Sequence, residues 1–226
     1  MRIYRDLPEA LNEARRDVVE MGHLVRPSSY QDQIVSGNKD FETLEVQNYV
    51  YSVSMPRSGD IYPLTSQPWA DKEFRERIGS FPLNPGTAWQ ARQKIWEPFL
   101  HNGKFSYTYS ERLATQLPRA IEQLKKDPDS RQIFIGIWDP KLDAPRIGGL
   151  SRIPCTLGYQ VQIRDKKLNL TYLQRSCDSA THFANDVYLA NRLQEYLAEE
   201  IGVQKGYYVH WIGSLHIFRK DTEGVF

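Results

Sequence analysis

The sequence predicts a single α+β domain. Its 226 residues suit one large domain or two small ones, and 40 % of them are apolar, which is enough for a core. Strand signals of the hairpin type are mixed with long helical patterns, which favours the α+β class. We find no internal repeat, low-complexity segment or linker, so we expect residues 1–226 to form one domain.

The N-terminal half carries helical patterns separated by irregular sequence. A helix is predicted over residues 6–22, because Asp6 can cap it, apolar residues recur at helical spacing, and Gly22 can end it. The segments that follow are irregular sequence over 23–67 with a strand signal at 46–53, a helix near 69–78 and a helix over 87–100.

The C-terminal half carries clearer patterns. Ser110 to Lys126 has leucine and isoleucine at helical spacing, although Pro118 interrupts the pattern. Alternating apolar residues predict a hairpin over 156–176. The other predicted features are a strand at 132–138, a hairpin turn at 165–167, a helix over 185–200 ended by Gly202, and a strand over 207–218 interrupted at Gly213.

The charge balance favours a small ligand over a nucleic acid. Basic residues number 29 and acidic residues 28, so no basic excess indicates a nucleic-acid surface, and a small anionic ligand is the better expectation. The two cysteines form neither a disulfide framework nor a metal or redox motif. The N-terminus lacks the apolar run of a signal peptide, and no long apolar stretch predicts a membrane span. We therefore expect a soluble, cytoplasmic protein without a bound metal.

Cys155 is the candidate nucleophile. A thiolate is a strong nucleophile at neutral pH, and Pro154 favours a fixed, extended entry to it. The alternative is a small apolar residue of the core. Cys177 is interpreted as structural, because the charge of the adjacent Asp178 would raise its pKa.

Arg175 and Ser176 are candidate phosphate ligands. A planar guanidinium beside a hydroxyl suits the oxygens of a phosphate, and Arg131 is a second candidate. The alternative for any one of these arginines is a surface salt bridge.

These residues occur in an order that resembles the thymidylate synthase family. The matching segments are Pro128–Arg131, Pro154-Cys155, Gln174–Asp178, Asp186 and His216–Phe218. The resemblance is closest to the cytidylate 5-hydroxymethylase branch, through Cys155-Thr156, 163–167, Asn185-Asp186 and 213–216. It is strong from about residue 126 to 220 and weak before 70.

The resemblance implies a fold, a substrate and a partner. The family fold is a mixed β-sheet flanked by helices, in a homodimer whose Arg131 reaches the phosphate in the partner's site. The implied substrate is a pyrimidine nucleoside monophosphate, and the implied one-carbon donor is 5,10-methylenetetrahydrofolate. Neither a nucleic acid nor a membrane is an expected partner.

The resemblance also assigns roles to individual residues. Cys155 would add to C6 of the pyrimidine, C5 would then take the methylene carbon, and water would add to the resulting exocyclic methylene. The glutamate relay matches Glu73 better than its rival Glu76, and Tyr109 matches the active-site tyrosine. The remaining implied contacts are Arg175, Ser176, Arg131, Gln174, Asp178, His216 and Asn185 for the nucleotide, and Asp178 and His182 for the folate.

Asp186 indicates which base is bound. Uracil offers an N3–H donor and an O4 acceptor, which an asparagine amide complements, whereas cytosine offers an N4 amino donor. A carboxylate accepts from N4, and from N3 once that nitrogen is protonated, so Asp186 suits cytosine. The alternative is a helix N-cap, since Asn185-Asp186 stands at the start of a predicted helix.

Several residues depart from the family pattern. Gln132 replaces a second arginine, which removes a charge from the phosphate site, and His182 replaces a glycine near the folate. Thr156 replaces the histidine of thymidylate synthases, and Phe218 replaces a tyrosine that bonds the sugar, which leaves room for a ribose 2′-OH. The chain ends at Phe226, so we expect the family's C-terminal tail over the folate to be absent or very short.

Three functions stay open at this point. The first is a CMP or dCMP 5-hydroxymethylase, in phage DNA modification or in a nucleoside natural-product pathway. The second is a thymidylate synthase or deoxyuridylate hydroxymethylase, which Asp186 and Thr156 disfavour. The third is a non-catalytic nucleotide-binding relative, which Gln132 and His182 favour and the retained Cys155 disfavours.

Overall fold

A computed structural model of the protein describes residues 1–30, 33–148 and 151–224. The strands in these ranges are β1 (Arg2–Tyr4), β2 (His23–Val25), β3 (Ser29–Tyr30), β4 (Gln33–Ile34), β5 (Thr43–Val53), β6 (Phe134–Gly136), β7 (Thr156–Arg164), β8 (Lys167–Asp178) and β9 (Gln204–Phe218). The α-helices are α1 (Leu7–Met21), α2 (Ser58–Ile61), α3 (Trp69–Arg77), α4 (Gln93–Trp96), α5 (Tyr109–Leu113), α6 (Gln116–Lys126) and α7 (Phe183–Ile201). Phe226, on which the expectation of a short tail rests, lies outside the described residues.

The central sheet is mixed, as the predicted fold class requires. Its strands follow the order β1–β5–β9–β8–β7–β6, and β2 also pairs with β5. The pairs β1–β5 and β8–β9 are parallel, whereas β5–β9, β7–β8, β6–β7 and β2–β5 are antiparallel. The α+β prediction is confirmed.

One face of the sheet is buried under helices and the other is half-exposed. The buried face includes Tyr51, Tyr159, Tyr172, Tyr208 and His210, which are adjacent across β5, β7, β8 and β9. Helices α1 and α7 pack on it. Because side chains alternate along a strand, the intervening residues point to the opposite face, and there they are only partly buried. They include Val50, Thr171, Leu173, Val209 and Trp211.

The β7–β8 hairpin positions the predicted nucleophile. Its turn consists of Asp165 and Lys166, both with positive φ (51° and 59°), which gives a two-residue loop, one residue shorter than predicted. At the open end the backbone N–H of Arg175 donates to the carbonyl of Cys155 at 2.8 Å. The hairpin therefore holds Cys155 beside the Arg175-Ser176 pair.

The terminal helices follow the sequence signals. The Asp6 side chain accepts a hydrogen bond from the backbone of Glu9 and caps α1. Gly202 ends α7 in the left-handed conformation (φ 82°) that favours glycine. Strand β9 runs through Gly213 without the predicted interruption.

The helix predicted over 87–100 is wrong. The segment instead forms a 3₁₀ turn (Ala88–Arg92), the short helix α4 and a second 3₁₀ turn (Glu97–Phe99). The Glu76 carboxylate accepts from the backbone of Thr87 (2.6 Å) and Ala88 (2.9 Å), so the start of the segment is fixed by a contact distant in sequence. Helix propensity depends on the local sequence alone and therefore cannot predict the effect of such a contact.

Two other predicted elements are shorter than expected. The helix predicted over 110–126 is divided into α5 and α6, and Pro118 lies in the first turn of α6, where no intrahelical donor is needed. The strand predicted over 132–138 is reduced to β6. Beyond it, the backbone N–H groups of Ile137 and Trp138 both donate to the carbonyl of Leu157.

Candidate active site

A cleft of about 500 Å³ brings most of the predicted site residues together. Its wall is built from α3, the loop before α5, the ends of β8 and β9 and the first turn of α7. The predicted residues that line it are Glu73, Glu76, Tyr109, Cys155, Gln174, Ser176, Asp178, His182, Asp186 and His216. Three predicted residues, Arg131, Arg175 and Asn185, are not part of this wall.

Cys155 lies immediately before β7 with a partly buried side chain. An Nη2 of Arg175 lies 3.8 Å from its sulfur. Burial raises the pKa of the Cys155 thiol, while the Arg175 charge opposes that rise and Asp186 adds to it. Cys177 is more deeply buried, and burial together with Asp186 and Asp178 raises the pKa of its thiol well above the ordinary value. Cys155 is thus the cysteine that has a cation beside its sulfur.

Arg175 anchors the segment that carries Cys155. Its Nε donates to the carbonyl of Pro154 at 2.9 Å, and Nη2 donates to the carbonyl of Ile153 at 3.1 Å. These bonds leave other N–H groups of the guanidinium available to a ligand. Arg131 is exposed in the loop before β6 and does not reach the cleft of its own chain.

Asp186 is not the cap of α7. The N-cap residue is His182, and the backbone N–H of Asp186 donates to the carbonyl of His182 within the helix. The Asp186 carboxylate instead accepts from Nε2 of Gln174 at 2.7 Å. The helix-cap alternative is therefore wrong, and the carboxylate faces the cleft.

A buried chain of hydrogen bonds orients Gln174. Its Oε1 lies 3.0 Å from Nε2 of His210, whose Nδ1 lies 3.1 Å from the Tyr51 hydroxyl. Burial lowers the pKa of His210 well below the ordinary value, so the ring is neutral. With the proton on Nε2, His210 donates to Gln174 and accepts from Tyr51, and the amide nitrogen of Gln174 is directed at Asp186.

The charge state of Asp186 depends on opposing influences. Burial raises the pKa of this carboxyl above the ordinary value. His182, the hydrogen bond from Gln174 and the charge of Arg77 all act to lower it, and Asp178 acts to raise it. A group balanced in this way responds to what binds beside it.

The two candidate relay glutamates have different surroundings. Glu73 accepts from Nε of Arg77 at 2.9 Å, one turn along α3, and lines the cleft. Glu76 accepts three hydrogen bonds from Thr87 and Ala88, which hold the following segment in place. Glu76 therefore has a scaffold role, and Glu73 is the better candidate for the relay.

Tyr109 connects α5 to the hairpin. Its hydroxyl donates to Oγ1 of Thr156 at 2.9 Å, and that oxygen lies 2.7 Å from the Tyr172 hydroxyl. Thr156, which replaces the family histidine, is fully buried. It joins two tyrosines and is directly opposite Gln174 in the β7–β8 pair.

The remaining predicted residues fall into two groups. Asp178 accepts from the backbone of Ala180 and Thr181, and it pairs across β8–β9 with His216, whose pKa is lowered by burial. Both line the cleft. Asn185 bonds the backbone of Ser66 at 2.8 Å and joins α7 to the loop before α3. Its contacts are those of a scaffold residue.

Sequence reasoning missed an aromatic wall. Trp69 and Trp96 stack at 5.9 Å, and the guanidinium of Arg92 lies 4.9 Å from the Trp69 ring. Within the described part of the chain, Nε1 of Trp89, Nε1 of Trp96 and Nη1 of Arg92 are buried donors without a partner. The closely spaced Trp89 and Trp96 could have indicated this wall from the sequence. The incorrect prediction of a helix over 87–100 prevented that interpretation.

The described residues present neither a cluster of metal ligands nor a membrane-spanning helix. No group of three or more histidine, cysteine or acidic side chains is arranged to hold a metal ion. No helix is both long and apolar enough to cross a membrane.

Comparison with known families identifies the class of protein to which this fold and cleft belong. The family model described as Thymidylate synthase matches residues 38–225, so the chain belongs to the thymidylate synthase family. Enzymes of this family bind a pyrimidine nucleotide and use methylenetetrahydrofolate as one-carbon donor.

Several curated proteins from methanogenic archaea are similar to this chain. The "Putative thymidylate synthase" of Methanothermobacter marburgensis is 33 % identical over 188 residues, which cover 78 % of each chain. That of Methanosarcina barkeri is 26 % identical over 226 residues, which cover 92 % of this chain and 95 % of the relative. That of Methanosarcina mazei is 32 % identical over 150 residues, which cover 62 % and 67 %.

Proposed function

We propose that this protein is a cytidylate 5-hydroxymethyltransferase, which converts CMP or dCMP to the 5-hydroxymethyl nucleotide. Methylenetetrahydrofolate would donate the carbon and water would supply the hydroxyl oxygen. The observation that carries the proposal is the Asp186 carboxylate, which faces the cleft with Gln174 as its hydrogen-bond donor at 2.7 Å.

A carboxylate at this position discriminates between the two bases. It can accept from the N4 amino group of cytosine, and from N3 when that nitrogen is protonated. Against uracil it would face O4, so two acceptors would meet without a proton. An unmatched buried polar pair of this kind costs about 1–3 kcal/mol.

The aromatic wall supports a folate site. A flat heteroaromatic ring can stack on tryptophan, and Trp69 contributes a further indole to the cleft. Trp89 and Trp96 line the cleft together with Asp178 and His182. When bound there, the folate supplies a carbon at the oxidation level of formaldehyde.

The residues of the chain then have distinct tasks. The Cys155 thiolate forms a bond to C6, and the electrons of the C5–C6 double bond make C5 nucleophilic. C5 would take the methylene carbon and lose its proton. Tetrahydrofolate would then leave with the electron pair of the broken carbon–nitrogen bond, so that the base carries an exocyclic methylene. Water adds to that methylene, with Glu73 accepting the proton of the water, and the C6–S bond breaks to release Cys155 as thiolate.

A second copy of the chain would complete the phosphate site. Ser176 lines the cleft and Arg175 stands beside it, but Arg131 is exposed and remote within one protomer. The half-exposed sheet face that carries Leu173 and Trp211 is partly apolar, which suits a self-complementary contact about a two-fold axis. In such a dimer Arg131 of the partner subunit would contact the nucleotide phosphate.

The raised pKa of Asp186 favours a second candidate, a thymidylate synthase or deoxyuridylate hydroxymethylase. A protonated carboxyl can donate to O4 of uracil and accept from N3–H, as asparagine does. The relatives from Methanothermobacter marburgensis and Methanosarcina barkeri, which are named as thymidylate synthases, also support this candidate. On this reading the preference for uracil should grow as the pH falls, because protonation restores the donor.

Tritium release from C5 separates the candidates. The protein is incubated with methylenetetrahydrofolate and 5-tritiated CMP, dCMP, UMP or dUMP, and the product is weighed by mass spectrometry. We expect release from a cytidylate and a mass gain of CH₂O. Release only from a uridylate, or a methyl product with dihydrofolate, would overturn the proposal. No release from any nucleotide would indicate a non-catalytic relative.

A further inference from the structure

Arg77 is a buried cation in the cleft to which no role has yet been assigned. It is the last residue of α3, only 8 % exposed, and it lines the cleft. Its Nε donates to Oε1 of Glu73 at 2.9 Å. Charged side chains are rarely buried unless they are paired, so this arginine belongs to the construction of the site.

A continuous set of contacts joins Arg77 to Asp186. The guanidinium carbon lies 3.8 Å from the centre of the Tyr109 ring, on which it stacks. The Tyr109 hydroxyl bonds Thr156 at 2.9 Å, and Thr156 pairs across the hairpin with Gln174. Gln174 donates to Asp186 at 2.7 Å. Arg77 and Asp186 therefore lie at the two ends of one chain of contacts that runs through Tyr109, Thr156 and Gln174.

The charges around the base require this cation. Glu73 and Asp186 both line the cleft, and two carboxylates that face one small ligand repel each other. Arg77 bonds the first directly and favours the charged form of the second electrostatically. With asparagine at 186 only one carboxylate would remain, and the demand for a nearby cation would be smaller.

We propose that Arg77 is a positioning residue for cytosine recognition, which fixes the Glu73 carboxylate and balances the negative charge of Asp186. This inference rests on the proposed function. Its central consequence is that Arg77 and Asp186 are coupled: the guanidinium is needed when residue 186 is aspartate and is largely dispensable when it is asparagine.

The test is a double-mutant cycle. Arg77→Gln is made in the wild type and in Asp186→Asn, and kcat/KM for C5 tritium release is measured with the cytosine and uracil nucleotides. In the wild-type background we expect a loss of about tenfold to a hundredfold with the cytosine nucleotide. In the Asp186→Asn background we expect a loss of about threefold or less with the uracil nucleotide. Arg77→Lys, which keeps the charge, should recover part of the loss.

Two controls address a purely structural role. Arg75→Gln removes an exposed arginine from the same helix and should leave kcat/KM unchanged. If Arg77→Gln does not fold, Glu73→Gln with Arg77→Met removes both buried charges, and nucleotide binding is then measured by calorimetry. We expect this pair to weaken binding of the cytosine nucleotide more than that of the uracil nucleotide.

The outcomes are distinguishable. Equal losses in both backgrounds, or equal weakening of both nucleotides in the double variant, would contradict the coupling and make Arg77 a scaffold residue. A wild type that prefers uracil would refute the proposed function alone. The dependence of the Arg77→Gln effect on residue 186 can still be measured with whichever nucleotide reacts.

Discussion

At the residue scale, the thiol of Cys155 is under two opposing influences. Burial raises its pKa, whereas the guanidinium of Arg175, 3.8 Å away, favours the thiolate. For Cys177, Asp186 and Asp178 add to the effect of burial and outweigh the opposing charge of Arg15, so the pKa of its thiol is raised well above the ordinary value. The two cysteines therefore differ in their electrostatic surroundings as well as in their position in the family motif.

The first prediction concerns these cysteines. Cys155→Ala should lower kcat by several orders of magnitude and leave nucleotide binding nearly unchanged, because the covalent step is lost and the binding groups remain. The measurements are steady-state kinetics and calorimetry. Cys177→Ala is the matched control and should retain turnover. A fully active Cys155→Ala variant would remove the thiol from the mechanism.

The second prediction separates Glu73 from Glu76. Glu73→Gln should reduce turnover strongly, while its amide oxygen can still accept the hydrogen bond from Arg77. Glu76→Ala should instead lower the free energy of unfolding by about 1–3 kcal/mol, because the three hydrogen bonds that Glu76 accepts from Thr87 and Ala88 are lost. Urea unfolding and kcat are measured for both variants. The assignment fails if Glu76→Ala loses turnover without losing stability.

The sequence predicted which residues belong to the cleft better than it predicted which contacts they make. The motif order identified the members of the cleft from Cys155 to His216. It could not show that Asp186 accepts a hydrogen bond from Gln174, because that contact joins a helix to a strand and competes with an equally reasonable helix cap. Arg77 was missed for a different reason. It belongs to a highly charged helix, and such a helix normally faces solvent.

At the element scale, the β7–β8 hairpin sets the spacing of the site. The pairing of Thr156 with Gln174 and the bond between Arg175 and Cys155 depend on its register. Alternating apolar residues predicted this hairpin correctly, because one face of the sheet is buried and a one-residue slip would expose it. The segment 87–100 was predicted wrongly, since it is shaped by Glu76 and by the aromatic side chains that face the cleft.

The third prediction belongs to the hairpin turn. Lys166 adopts a left-handed conformation (φ 59°), which costs a non-glycine residue about 1–2 kcal/mol. Lys166→Gly should therefore raise the free energy of unfolding by up to about 1 kcal/mol, after the added flexibility of the unfolded chain is subtracted. Lys167→Gly, one residue on in β8, should destabilise instead. Urea unfolding of both variants gives the comparison, and a stabilised Lys167→Gly would contradict it.

At the scale of the whole molecule, the proposed dimer would bring into the cleft a residue that one protomer does not place there. Arg131 lies outside it, while the half-exposed sheet face offers a surface for a second copy. The association of two copies of the chain cannot be predicted from a local pattern in the sequence. The family resemblance suggested the dimer, and the exposed position of Arg131 agrees with it.

The fourth prediction tests whether sites are shared between protomers. Cys155→Ala and Arg131→Gln proteins are mixed, unfolded and refolded together. If Arg131 of the partner subunit binds the phosphate, half of the sites in each mixed dimer are intact, and activity should return to about one quarter of wild type. Trp211→Glu, placed on the proposed interface, should give monomers in sedimentation. Failure to recover activity, together with monomeric wild-type protein, would exclude the shared site.

The central claim is that Asp186 selects cytosine, and one measurement tests it most directly. The ratio of kcat/KM for the cytosine and uracil nucleotides is determined for the wild type and for Asp186→Asn. Asparagine restores a donor towards O4 and removes an acceptor from N4, so the ratio should move towards uracil by roughly 1–3 kcal/mol, about tenfold to a hundredfold. An unchanged ratio would mean that Asp186 does not read the base, and the cytidylate assignment would be contradicted.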